Sequence, residues 1–303
     1  MTRTIKKRGP SHKMRTPGGA RAAEPVGPVP SAASVRPVTA PELSRTVLTI
    51  AGLDPSGGAG VAADLLTIAA YRHHGAAVIT SITAQNTMGI QAIYDLPMEF
   101  VAQQIESVVS DIEVHSVKIG MLGTARTVSL MASLIQSLGL RNVVLDPVLR
   151  STSGTPLLEK KGIPVLREKL LPVVDVVTPN MEEASILTGL NVVDLPSMKE
   201  AARAIHAMGA RAVVVTGGHL GNRAIDVLYD GSRVAVFDST KIVSNNTHGI
   251  GCTFSTAVAC QLARGIDLAE AVDGAKRYVS RAVSNASRIG KGAGPLNHLV
   301  SPF

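Results

Sequence analysis

The chain has 303 residues, 45% of them hydrophobic and only 3% aromatic, with no tryptophan and a formal net charge of +7. That length builds one large α/β domain or two ordinary ones, with Val, Leu, Ile and Ala forming the core. Two cysteines exclude a disulfide framework, and no run reaches the ~18–20 apolar residues of a membrane span.

The charge is not spread evenly. Residues 1–40 hold Arg3, Lys6, Lys7, Arg8, Lys13, Arg15, Arg21 and Arg36 against Glu24 alone, while residues 41–303 balance at 22 basic and 22 acidic. The body therefore has no net electrostatic pull on nucleic acid. A nucleic-acid-binding or regulatory protein acting through the basic leader is the rival reading from another class. Residues 1–42, rich in Pro, Gly, Ala and Arg without an apolar run, read as a disordered leader. It lacks the apolar stretch of a secretory signal. Organelle targeting stays open, because the leader is basic and nearly free of acids. A reducing, cytoplasmic setting is the expectation.

From residue 45 short β-branched runs alternate with amphipathic stretches. "TVLTIAG" predicts a strand and "GVAADLLTIAAYRHHG" a helix ending at Gly75. "AAVITSITA" is a strand, followed by a loop "QNTMGIQ", a short strand near Ile93 and a helix over "PMEFVAQQIESVVSDI". "SVKIGML", "NVVLDPV" and "VVDVVTPN" are strands, separated by the helix "ARTVSLMASLIQSLG". The helices "MEEASILTG" and "SMKEAARAIHAMG" lead to the strand "RAVVVTGG", whose glycines predict a turn. A hairpin turning at Asp230-Gly231 and helices over 252–264 and 267–287 complete residues 43–303 as one domain. Cys252 and Cys260, about 12 Å apart along one helix, are too far apart to bridge. Strands alternating with helices give a mostly parallel sheet covered on both faces, whose ligands bind beyond the carboxyl ends of the strands.

The loops after those strands carry the candidates. "GLDPSGGAG" spans Gly52 to Gly60, with Ala59 inside it and Asp64 on the following helix. No acid stands near residues 81–84, at the end of the second strand, so the dinucleotide fingerprint fails; without Gly-Lys-Ser/Thr this is no Walker loop either. Gln85 offers a donor and an acceptor together, the pattern that reads a pyrimidine edge; the alternative is an ordinary loop residue. Met121 ends a strand, where core filling competes with ligand contact. Asp146 stands at a strand end and Glu183 three residues after Asn180, so the two acids suit Mg²⁺ held through waters. Asn180 and Glu183 equally make a helix capping box. Thr216 and Gly218 lie where a nucleotide phosphate or base fits. "NNTHGIGCTFS" leads through Gly249 and Gly251 to Cys252 at a helix start, where free N–H groups form an anion site and bias a thiol toward thiolate. His248 has turn packing as its alternative.

Taken in order, "TIAGLDPSGGAG", "AQNT", "KIGML", "VLDPV", "TPNMEEA", "GGH", "NTHGIGCTFS" and "GKGAGPLNH" resemble the hydroxymethylpyrimidine and phosphomethylpyrimidine kinases of thiamine biosynthesis. The resemblance runs from about Val47 to Asn297 and implies a ribokinase-like three-layer α/β/α sandwich with a mostly parallel sheet. It also implies ATP with Mg²⁺, a small pyrimidine alcohol as substrate, and a homodimer. By resemblance, Gly52, Ala59, Asp64, Gln85 and Met121 belong to the pyrimidine pocket. Asp146 and Glu183 match the metal region beside Asn180, and Gly249, Gly251 and Cys252 match the anion hole, with Cys252 as base. The chain departs from the common pattern at Ile250, at Thr216 where many members carry lysine, and at Leu53. Similar enzymes phosphorylate pyridoxal, which is the alternative within enzymes.

Overall fold

The computed structural model describes Thr2–Thr4 and residues 45–151, 153–220 and 223–303. Thr2–Thr4, within the leader read as disordered, instead form a strand; the rest of that reading lies outside the described residues. In chain order the strands are β1 (Thr2–Thr4), β2 (Thr46–Leu53), β3 (His74–Asn86), β4 (Gly89–Asp95), β5 (Ser116–Ile119), β6 (Val143–Leu145) and β7 (Val176–Val177), then β8 (Ala212–Leu220), β9 (Arg223–Tyr229) and β10 (Val234–Thr240). The helices are α1 (Gly60–Ala70), α2 (Met98–Val109), α3 (Ala125–Ser137), α4 (Gly162–Val165), α5 (Met181–Thr188), α6 (Leu195–Ala207), α7 (Ile250–Ala263) and α8 (Leu268–Ser284).

All the strands join one sheet in the order β1-β4-β3-β2-β5-β6-β7-β8-β9-β10. The six strands from β3 to β8 are parallel to their neighbours, with antiparallel pairs at both flanks. Period-two alternation divides the core between the two faces. Leu48, Ile50, Val117, Ile119, Val213 and Val215 pack with α2, α3, α5 and α6. Val47, Val144, Ala212 and Val214 pack instead with α1, α7 and α8. Both faces are covered: this is a three-layer α/β/α sandwich.

Three boundaries differ from the sequence reading. α1 stops at Ala70 because Arg72 takes the left-handed conformation, φ 59°, and turns the chain. Gly75 is then inside β3, opposite Val47, where a Cβ would lie 2.8 Å from Leu65 Cδ2. The expected loop "QNTMGIQ" is mostly ladder, since β3 and β4 pair up to Asn86 and Gly89. The glycines after β8 make no turn either. The strand continues through them against β9, and a Cβ on Gly217 would meet Ile225 O at 2.4 Å.

Candidate active site

β3 lies on one side of β2 and β5 on the other, so the chain reverses its winding direction between β2 and β5. The loops that follow these strands diverge there and leave a crevice beyond their carboxyl ends. Gly52 lets the floor close tightly: a Cβ there would stand 2.9 Å from Met121 Sδ. Met121 itself is buried in a small apolar cluster with Ile93 and Leu157.

The loop from β2 into α1 is shaped by Asp54. Its Oδ1 accepts the Ser56 N–H at 2.8 Å and hydroxyl at 2.7 Å, and its Oδ2 accepts the Ala59 N–H at 3.0 Å. His248 Nε2 lies 2.7 Å from the same Oδ2. Burial alone would raise the Asp54 pKa, yet the hydrogen bonds from His248 and Ser56 hold it below its ordinary value. The same His248 Nε2 lies 3.1 Å from the Gln85 amide, whose other end is 3.1 Å from Thr83 Oγ1. Gly58 leaves room for the imidazole, since a Cβ there would sit 2.3 Å from His248 Cδ2. Gln85 is half-buried at this edge of the crevice.

α7 begins at Gly249, whose φ of 88° only glycine adopts readily. A Cβ on it would lie 1.9 Å from Gly58 O, so the start of α7 is pressed onto the β2–α1 loop. No side chain caps this helix, which leaves its first N–H groups facing the crevice. The Cys252 thiol stands close enough to the Gly60 N–H, Asp146, Asp64 and Lys118 for each to act on its ionisation. The expected thiolate bias is not met. Desolvation pushes the Cys252 thiol up to about 12, Asp146 and Asp64 add to the rise, and the opposing pull of Lys118 and Gly60 is too small to reverse it.

Asp64 also departs from its expected place in the substrate pocket. It has no exposed surface, and its two oxygens are taken by Lys118 Nζ at 3.0 and 2.9 Å, Thr49 at 2.6 Å and Thr256 at 2.8 Å. Its role is to hold Lys118, a fully buried cation beneath Cys252 and Asp146. Burial works against that charge, but Asp64, Cys252 and Asp146 together outweigh it and raise the lysine pKa.

Across the crevice, Asp146 follows β6 and Glu183 opens α5. Desolvation lifts Asp146 to about 6 against the pull of Lys118. Desolvation and the Asp146 charge lift Glu183 to about 8. The capping box is real: Asn180 Oδ1 accepts from the Glu183 N–H at 2.9 Å, and Glu183 Oε2 accepts from the Asn180 N–H at 3.0 Å. Glu183 Oε1 also reaches the Leu149 N–H at 3.4 Å, so the capping acid ties α5 to the loop after β6. Thr216 sits next along the sheet, its N–H donating to Pro179 O at 2.9 Å, with Gly218 exposed just beyond.

The segment after α8 closes the rim. Lys291 and Gly292 donate to Thr87 Oγ1 at 3.2 Å each, and the His248 N–H donates to Gly294 O at 3.1 Å. Sequence reading missed Asp54 and Lys118, and left His248 open between a functional role and turn packing. Lys118 left a signal: a single lysine inside the apolar run "SVKIG" must find a buried counter-ion.

An uncapped helix start beside two buried carboxylates suits phosphoryl transfer, and the sandwich that carries it is that of the ribokinase-like kinases. The phosphomethylpyrimidine kinase model matches residues 54–297. The hydroxymethylpyrimidine/phosphomethylpyrimidine kinase of Rhizobium meliloti is 45% identical over 260 residues, covering 84% of this chain and 97% of that one. A thiamine biosynthesis bifunctional protein of Geobacter sulfurreducens is 45% identical over 263 residues, 86% of this chain; the match spans only 54% of that longer protein. A pyridoxal kinase from Bacillus subtilis, solved as an ADP complex, superposes with a TM-score of 0.78 at 37% identity, covering 84% of this chain and 97% of that one. The chain belongs to the phosphomethylpyrimidine kinase family.

Proposed function

We propose that this chain transfers the γ-phosphoryl group of ATP to 4-amino-5-hydroxymethyl-2-methylpyrimidine, and then to the resulting monophosphate, in thiamine biosynthesis. The observation that carries the reading is the start of α7 lying against Asp146, where a Cβ on Gly251 would stand 3.7 Å from the carboxylate. A phosphoryl group held in the crevice beside that contact meets free N–H groups on one side and an acid pair on the other. The acids fit a cation, because two buried carboxylates, one raising the other's pKa, leave negative charge uncompensated. Among the described residues no group of three or more His, Cys, Asp or Glu is set to hold a metal. Asp146 and Glu183 would therefore hold Mg²⁺ largely through its waters, and the bound ion supplies positive charge beside the donor phosphates.

Cys252 takes the hydroxymethyl proton as general base. Lys118 favours its thiolate, and compensating the Asp146 charge removes one of the groups that hold the thiol protonated. Gln85, Gly52, Ala59 and Met121 border the pyrimidine side, while Asn180, Thr216 and Gly218 border the nucleotide side. Thr216 brings no charge where many family members place lysine. Ile82 and Tyr94 stand opposite each other across β3 and β4 and are 43% and 48% exposed, an apolar patch that a second copy would cover in a homodimer. The reading is completed by a cytoplasmic setting without nucleic-acid or membrane partners; among the described residues no helix is long and apolar enough to cross a membrane.

The second reading is pyridoxal kinase, favoured by the superposition on the Bacillus subtilis enzyme. A phosphorylation panel of the pyrimidine alcohol, its monophosphate, pyridoxal and a sugar separates the two. Preferred turnover of both pyrimidines is expected; preference for pyridoxal overturns the assignment.

A further inference from the structure

The two ends of an amide are nearly isosteric, so the donors and acceptors around it decide which end is oxygen. Gln85 is held at both ends. The structure sets Gln85 Oε1 3.1 Å from Thr83 Oγ1 and Nε2 3.1 Å from His248 Nε2, and the exchanged order fits the same two positions; Thr83 Oγ1 also lies 3.1 Å from Leu53 O. A hydroxyl has one hydrogen. If it donates to the Leu53 carbonyl, it can only accept from Gln85, so Nε2 belongs at the Thr83 end.

The other end gives the same answer independently. His248 Nε2 lies 2.7 Å from Asp54 Oδ2 and 3.1 Å from the amide. Asp54 also receives the Ser56 N–H, the Ser56 hydroxyl and the Ala59 N–H, which makes it an ionised acceptor. A bare Nε2 would set a lone pair against a carboxylate at 2.7 Å, so Nε2 carries a hydrogen. An amide nitrogen at this end would then put two donors face to face. The oxygen fits, accepting the longer branch of the one Nε2–H that Asp54 takes at 2.7 Å.

We propose that Gln85 is locked with Oε1 toward His248 and Nε2 toward Thr83, and that His248 is the positioning residue that fixes this order. Donation then runs outward from His248, to Asp54 on one side and through Gln85 and Thr83 to Leu53 on the other, and leaves one acceptor and one donor of the amide free. The acceptor lies on the side of the α7 start and the donor on the side of β3. A 4-aminopyrimidine, with an exocyclic N–H beside a ring nitrogen, matches one such order. Its 4-oxo analogue carries the reverse pattern, a carbonyl beside a ring N–H. His248 thus sets specificity without touching the substrate, a consequence that rests on the pyrimidine reading above. Gly58 serves the same end, since any side chain there would displace the imidazole.

Two measurements test this. In the free protein, ¹⁵N–¹H NMR of ¹⁵N-histidine-labelled enzyme is expected to place a proton on His248 Nε2; a bare Nε2 overturns the proposal. The second measurement is kcat/KM for the amino substrate and its 4-oxo analogue, in wild type and variants. His248→Ala frees the amide to rotate, so the amino-over-oxo preference should narrow by about tenfold or more, mainly through KM. His248→Gln restores a donor and should recover part of the preference. Thr83→Val releases the other end and should narrow it too, which covers an unstable alanine variant. An unchanged preference in all three, or equal losses for both substrates, overturns the role of His248. A wild type that phosphorylates neither pyrimidine overturns the pyrimidine reading alone, and the Nε2 proton then decides the orientation by itself.

Discussion

Cys252 sits between one cation and two carboxylates: Lys118 draws its pKa down, Asp146 and Asp64 push it up, and desolvation exceeds all of them. In the free protein the sulfur is therefore protonated at neutral pH, whatever the helix start contributes. Iodoacetamide should modify it more slowly than free cysteine at pH 7, with a rate that climbs as pH approaches 12. Cys260 is fully buried and will not compete for the reagent. Fast alkylation at pH 7 would show that the thiolate is already present. Cys252→Ala keeps every N–H of the helix start and removes the proton acceptor, so kcat should fall about 10²–10⁴-fold while phosphate binding survives. Turnover within a few-fold of wild type would leave catalysis to the helix start alone. Lys118 carries a different expectation. Lys118→Met leaves the Asp64 carboxyl buried without its counter-ion, and urea unfolding should report a loss of about 3–5 kcal/mol. Adding Asp64→Asn should recover part of it, because a neutral amide still serves Thr49 and Thr256.

At the scale of elements, the start of α7 depends on backbone that no side chain can share. Gly249→Ala combines a positive φ with a Cβ 1.9 Å from Gly58 O, so both the melting temperature and activity should drop. Gly265 has a similar φ of 79° but nothing within 4 Å of its Cβ position. Gly265→Ala should therefore cost only the conformational term, about 1–2 kcal/mol, and leave activity intact. Similar losses for the two would mean the contact with Gly58 yields easily. Most elements were legible in the sequence because their apolar periods agree with the faces they bury, as Leu48 and Ile50 do against Val47. Element ends were less legible. Arg72 ends α1 in a conformation usually left to glycine, whereas Gly217 continues a strand that it was expected to end. The crevice was legible as a set of loops following strands. The partners inside it were not: Asp54 with His248, and Lys118 with Asp64, meet only through the tertiary fold, and no local spacing records them.

Across the whole molecule, the carboxylate pair couples stability to pH. Glu183 is raised from 4.5 to about 8 and Asp146 from 3.8 to about 6, so the folded state binds protons more tightly than the unfolded one between those values. That contribution is complete below about pH 4 and is lost as pH rises through 6 and then 8. Without a divalent cation, stability should fall over this range by on the order of a few kcal/mol. Mg²⁺ should restore it, more at pH 8 than at pH 5, and Glu183→Gln should flatten the profile. A cation-free profile that rises from pH 5 to 8 in wild type and variant alike would contradict the burial of charge at these two positions. The closing of the rim by the segment after α8 has a consequence in time. Asp54 and His248 are 194 residues apart in the chain, Asp64 and Thr256 192, and Thr87 and Gly292 205. Contacts across such separations form late, because the long loop between them must close first. A chain growing from its amino end makes the floor of the crevice early and holds it open until the segment after α8 arrives. In refolding, helix content should return ahead of turnover, and the interval between the two should lengthen when Gly292 or Gly294 is replaced by a larger residue.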